Sequence, residues 1–185
     1  MILNQSNYLD IDLKNKVIIF PTDTVYGIGC LLEDLEAVRR IYEIKKRDYS
    51  KPMAILCANL DEVRRVVEKE TLLLEKHIKH WPGKLTLIYP KSNQISDLIT
   101  AGKISVGVRI PNHEISLKLL EKFGPMVVTS LNLSTEPAIL KFEDVLHFQE
   151  VVDYIVDGGD LNSQSSTVYD TTTNTTLRQG DIVID

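Results

Sequence analysis

Cysteine is scarce in this sequence: Cys30 and Cys57 stand far apart with no CxxC spacing, which excludes a disulfide framework and a zinc knuckle. Free thiols fit a reducing, cytoplasmic compartment. No apolar run approaches the roughly 20 residues of a membrane span, and residues 1–7 lack the basic-then-apolar order of a secretory leader. Cations are outnumbered, 21 Lys and Arg against 26 Asp and Glu. The resulting net charge of −5 argues against a protein that coats nucleic acid. Any anion site must therefore be gathered locally by the fold. Repeats, low-complexity tracts and Pro/Ser-rich linkers are missing as well. At 185 residues and 43% hydrophobic, the chain reads as one globular domain, 1–185, able to bury its own core.

Several familiar sites are also absent. There is no GxxxxGK[ST] loop and no GxSxG elbow. Gly27-Ile28-Gly29 lacks the third glycine of a dinucleotide fingerprint and reads as an ordinary tight turn. His77 and His80 lie three apart with no third ligand nearby, so they read as a surface pair and not a metal site. His113 and His147 are isolated, and none of the four is assigned a role.

What is present alternates between strand and helix patterns. Val17-Ile18-Ile19-Phe20, Leu85-Thr86-Leu87-Ile88-Tyr89 and Met126-Val127-Val128 are short apolar runs of strand length, as is residues 52–57. Ala37, Val38, Ile41 and Ile44 recur at helical spacing, and that helix ends in Lys45-Lys46-Arg47. Asn59 opens a capping box closed by Glu62. A further helix is expected over residues 71–80, another ending at Gly124-Pro125, and one near residues 142–148. Ile104, Val106, Val108 and Ile110 alternate with Ser105, Gly107 and Arg109, which puts apolar side chains on one face and the hydroxyl, glycine and arginine on the other. The tail is β-like over residues 151–156, 167–169, 177 and 182–184. Adjoining strands with few helices between them predict an α/β fold with a twisted, open, mixed sheet and flanking helices.

Three segments place small hydroxyl or amide residues, or cations, beside a strand end. They are Pro21 to Gly29, then Lys45-Lys46-Arg47-Asp48-Tyr49-Ser50-Lys51, then Thr129-Ser130-Leu131-Asn132-Leu133-Ser134. Alone, the first is an ordinary Asx/Thr loop, the second a basic helix end that complements the helix dipole, and the third a polar turn. Arg109 alone reads as a surface ion-pair residue. Together and in order, these segments resemble the YrdC/Sua5 family, along with Trp81-Pro82-Gly83-Lys84-Leu85-Thr86, Val106-Gly107-Val108-Arg109-Ile110-Pro111, Ser166-Thr167-Val168 and Leu177-Arg178-Gln179-Gly180. The resemblance runs from about Val17 to Gly180 and matches the short bacterial members, which lack the extra C-terminal domain of the longer ones.

The resemblance implies a large concave cavity on that sheet and the synthesis of threonylcarbamoyl-AMP from L-threonine, bicarbonate and ATP. A nucleotidyltransferase of this kind serves N6-threonylcarbamoyladenosine formation at position 37 of tRNA, handing its product to a separate transferase complex; weak tRNA binding is compatible with it. Lys45 and Arg47 match the family's KxR pair and are the expected catalytic cations. Arg47, Lys51, Ser105, Asn132 and Arg178 fall where the family holds ATP, with Mg²⁺ carried by the nucleotide. Thr24, Arg109, Ser130 and Ser166 fall where it holds threonine. Such chemistry needs alignment and neutralised phosphate charge more than a covalent group, and no general base is evident. Lys51, Leu56, Leu131 and Leu140 depart from the family's usual residues. Two other readings of the fold are an RNA-binding module, which the acidic composition disfavours, and a hydrogenase-maturation carbamoyltransferase domain, whose CxxC segments are missing here.

Overall fold

Strand pairing in the computed structural model, which describes residues 1–133 and 136–184, brings nearly all the apolar runs edge to edge. The strands are β1 (Ile2–Leu3), β2 (Ile18–Phe20), β3 (Gly27–Leu31), β4 (Ala54–Leu56), β5 (Leu85–Pro90), β6 (Ser105–Arg109), β7 (Met126–Ser130), β8 (Tyr154–Val156), β9 (Thr167–Asp170) and β10 (Thr175–Arg178). Among the described residues they form a ten-stranded sheet in the order β1-β8-β2-β3-β7-β4-β6-β5-β9-β10. Pairs β4–β6 and β5–β9 are parallel, whereas β3–β7, β4–β7 and β5–β6 are antiparallel, so the sheet is mixed as expected.

Alternation along each strand divides the side chains between two cores. Ile19, Ile28, Ile55, Leu87, Val106, Val108 and Val127 face one core, which Ala37, Val38, Ile41 and Tyr42 of helix α1 (Leu35–Ile44) complete. Each fully buried Val or Ile there contributes roughly 1.5–3 kcal/mol relative to exposure. Ile18, Phe20, Met126 and Val128 face the opposite side under Leu119 and Leu120 of a later helix at Glu114–Phe123. That helix covers only part of its face. The uncovered part is the concavity described below.

The capping box closes one residue further back than its usual form: Asn59 Oδ1 accepts from Glu62 N at 3.0 Å, and Glu62 Oε2 accepts from Ala58 N at 2.7 Å. The helix that follows is α2 (Leu60–Val66). Some expectations fail for identifiable reasons. The helix expected over residues 71–80 shrinks to α3 (Glu75–Ile78): Thr71 N closes a turn on Glu68 O, and Leu74, the residue before the helix, is extended with φ -67° and ψ 131°. His77 is not at the surface; it is 1% exposed, with its ring 5.1 Å from that of Tyr169. Ile104 lies outside β6 and is 87% exposed. Residues 182–184 form no strand, since Ile182 N bonds to the Thr167 hydroxyl instead of to a neighbouring chain. Gly27-Ile28-Gly29 is part of strand β3, not a turn. A Cβ at Gly27 would sit 2.8 Å from Val128 Cγ1, and one at Gly29 would sit 2.7 Å from Val127 O, so the glycines let β7 press against β3. The remaining α-helices among the described residues are α4 (Asp97–Thr100), α5 (Glu114–Phe123) and α6 (Phe142–Val145), the last continued by a 3-10 turn at Leu146–Phe148. Among the described residues no helix is long and apolar enough to cross a membrane.

Candidate active site

A cavity of about 360 Å³ opens on the uncovered face, floored by β3, β7, β4, β6, β5, β9 and β10 in their order across the sheet. Its floor follows strand register. Asp170, Ile88, Gly107, Ala54 and Val128 are successive cross-strand partners, and all line it. Gly107 and Ala54, at the centre of this row, keep the floor low: a Cβ on Gly107 would already meet Thr86 Cγ2 at 3.3 Å.

At the inner end Arg109 is 6% exposed. Its Nη2 pairs with Asp23 Oδ1 at 2.5 Å, Nη1 donates to Thr24 Oγ1 at 2.9 Å, and Nε donates to Gly83 O at 2.9 Å. Three of the five N–H donors of a guanidinium are thus engaged, and two remain for a ligand. The hydroxyl directions follow from the partners. Thr22 Oγ1 donates to Val25 O at 2.7 Å, so its 3.0 Å contact with Thr24 Oγ1 must be donated by Thr24. Thr24 therefore offers the cavity an acceptor. Ser130 Oγ donates to Asn132 Oδ1 at 2.9 Å and likewise turns its lone pairs outward. Ser166 Oγ lies 2.8 Å from Thr86 Oγ1.

At the mouth, Arg47 donates to Lys51 O at 3.1 Å and to Pro52 O at 2.9 Å while lining the cavity. Arg178 arrives through a β-bulge. Thr175 pairs with Asp170 and Thr176 with Tyr169, after which Arg178, not Leu177, pairs with Val168. An extra residue at this point turns Arg178 to the cavity face, where its Nε donates to Ser166 O at 2.8 Å and its Nη2 to Ser166 Oγ at 3.0 Å.

The structure thus brings together Thr24, Arg47, Ser105, Arg109, Ser130, Ser166 and Arg178 around one cavity. Lys45, Lys51 and Asn132 do not line it. Lys45 is 0% exposed and its Nζ donates to Ser130 O at 2.5 Å, Asn132 O at 2.6 Å and Asn132 Oδ1 at 2.8 Å. Burial, with a smaller push from Arg47, brings its pKa down to about 7. Three acceptors nevertheless call for three N–H donors, and only the ammonium form has them. All of its donors are spent on holding the Ser130–Asn132 turn. Asn132 is held in the same knot, donating to Leu133 O and Glu136 O. Lys51 is exposed beside the mouth. Ser134, part of the same polar segment, lies outside the described residues. Of the family departures, Leu56 lines the cavity, Leu131 is fully buried, and Leu140 lies outside the lining.

Sequence reasoning missed Asp23 as a partner of Arg109, Thr22 as the anchor of Thr24, and Lys103 as a lining residue. Lys103 was within reach of the pattern, since the Ser105-Gly107-Arg109 alternation extended by one step lands on it.

Comparison with known proteins agrees with the fold. The Sua5/YciO/YrdC family model, described as telomere recombination, matches residues 11–180. The chain is 38% identical over 165 residues to the threonylcarbamoyl-AMP synthase of Pyrococcus abyssi, covering 86% of this chain and 48% of that protein. It is 33% identical over 158 residues to the threonylcarbamoyl-AMP synthase of Idiomarina loihiensis, covering 81% of this chain and 85% of the other. The crystal structure of P. abyssi Sua5 complexed with L-threonine superposes with a TM-score of 0.90 at 34% identity, over 97% of this chain and 57% of that one. The chain therefore spans about half the length of the archaeal relative and most of the Idiomarina one.

Proposed function

The chain belongs to the Sua5/YciO/YrdC family, and from that premise we propose that it is a threonylcarbamoyl-AMP synthase. It would join L-threonine, bicarbonate and ATP and release pyrophosphate, acting in the cytoplasm on the way to threonylcarbamoyladenosine in tRNA, with a separate transferase complex downstream. The observation that carries this reading is the cavity's division into a buried Arg109–Asp23 end rich in hydroxyls and a cationic mouth.

In this reading the two remaining N–H donors of Arg109 take the threonine carboxylate. Thr24, Ser130 and Ser166 meet its hydroxyl and amino groups, with Thr24 and Ser130 acting as acceptors. The nucleotide lies toward Arg47, Ser105 and Arg178, with Mg²⁺ arriving on the triphosphate. The threonine nitrogen bonds to the carbon of bicarbonate or its CO₂ form, giving a carbamate with loss of water or a proton. A carbamate oxygen then attacks the α-phosphorus, the bond to the bridging oxygen of the pyrophosphoryl group breaks, and pyrophosphate leaves. Arg47 and Arg178 neutralise charge on the phosphate oxygens as it develops. The enclosed inner end shields the carbamate from water. Lys45 and Asn132 serve this chemistry by fixing the turn that carries Ser130, and Lys51 contributes at most from the rim.

The test is direct. Purified protein mixed with threonine, bicarbonate and ATP should yield threonylcarbamoyl-AMP by mass spectrometry, and pyrophosphate release should require all three substrates. Equal pyrophosphate release with threonine omitted would make the protein a nucleotide hydrolase.

A further inference from the structure

We infer that Lys103, which lines the cavity mouth, is a contact for the triphosphate of the nucleotide. The inference rests on the synthase reading and adds a residue to it.

An exposed lysine usually serves solubility alone, and four observations set this one apart. First, Lys103 lines the cavity together with Ser105, Gly107 and Arg109. Lys103 stands two residues ahead of β6, where the chain bends at Ile104 before entering the strand, and it reaches the same cavity as the inward-facing residues of that strand. Second, the chain is turned into place just before it: Ala101 and Gly102 have φ of 54° and 74°, and Lys103 N donates to Thr100 O at 3.1 Å. Two successive left-handed residues end α4 and begin the approach to β6 at Lys103. Third, the other cations of the lining are engaged: Arg109 with Asp23, Thr24 and Gly83, Arg47 with two carbonyls, and Arg178 with Ser166. The Lys103 ammonium makes no hydrogen bond or ion pair among the described residues. Fourth, the lysine that the family pattern points to, Lys45, has spent all its donors on Ser130 and Asn132. A flexible, uncommitted ammonium at the mouth can follow a polyphosphate as the reaction changes its geometry, which a fixed guanidinium cannot do as easily.

The experiment is calorimetric titration of the full chain with α,β-methylene-ATP and, separately, with L-threonine. Lys103→Ala should raise the Kd for the analogue about tenfold at low salt, equivalent to about 1.4 kcal/mol. The gap should narrow between about 0.05 and 0.5 M salt as screening takes over. Lys103→Arg should recover most of the affinity, while threonine affinity and melting temperature stay unchanged in both variants. An unchanged analogue Kd in Lys103→Ala, or an equal loss of threonine affinity, overturns the assignment. Wild-type protein that binds no analogue at all overturns the synthase reading itself, and this inference with it.

Discussion

At the inner end of the cavity Arg109, Asp23, Thr22 and Thr24 are buried or nearly so and hydrogen-bonded to one another and to backbone, whereas at the mouth Lys103 and Arg178 are exposed and Arg47 is half-buried. Arg109 and Asp23 have side chains only 7% and 10% exposed. The difference separates two ways of binding an anion. A small zwitterion of fixed shape can be met by a site whose donors are already aimed, so little ordering is needed on binding. A triphosphate that must lose pyrophosphate is better met by long cations near solvent, Arg47 and Arg178 anchored through some of their donors and Lys103 able to move with it. Residues of the first kind belong to the fold as much as to the site. Those of the second kind can be removed at little cost to the fold.

That contrast can be broken by mutation. The largest effect is expected at Arg109. Arg109→Met leaves Asp23 as a buried carboxylate without its cation, and Asp23 Oδ2 already lacks a partner. Urea denaturation should show a loss of roughly 3–5 kcal/mol, and the double variant with Asp23→Asn should regain part of it. A fully stable Arg109→Met protein would mean that the inner end is not built as an ion-paired unit.

Lys45 comes next. Its place at a basic helix end reads as a mouth residue, yet its burial puts it with the inner end. Lys45→Met removes three charge-assisted hydrogen bonds and also a desolvated charge, so the net loss should be about 2–3 kcal/mol. Threonine affinity measured without nucleotide should fall as well, because the Ser130 turn loses its clamp. Normal threonine binding together with lost ATP binding would instead return Lys45 to the phosphate.

The smallest effect on stability is expected at Arg47. Arg47→Ala gives up two bonds to carbonyls at the half-buried mouth, and denaturation should register about 1 kcal/mol or less. Turnover should nonetheless fall about 100-fold or more if the guanidinium meets developing charge. A variant that loses stability but keeps turnover would reverse the contrast between the two ends.

Much of the site was legible in the chain because it follows local rules. Period-two alternation placed Ser105, Gly107 and Arg109 on one face, and the apolar runs that became β2, β4, β5 and β7 announced themselves by composition. The order of the segments from Pro21 to Gly180 pointed to the family, and seven of the expected residues, Thr24, Arg47, Ser105, Arg109, Ser130, Ser166 and Arg178, meet at one cavity. What the chain could not announce depends on partners distant in sequence. Gly27 and Gly29 look like a turn until β7 lies across them. Lys45 looks like a free cation until Ser130 and Asn132, 85 and 87 residues away, close around it. Arg178 would point to the other face but for a bulge that only its pairing with β9 defines. Periodicity sets which face a side chain takes within its own strand; register, burial and the commitment of hydrogen-bond donors are settled between strands, and so belong to the tertiary structure alone.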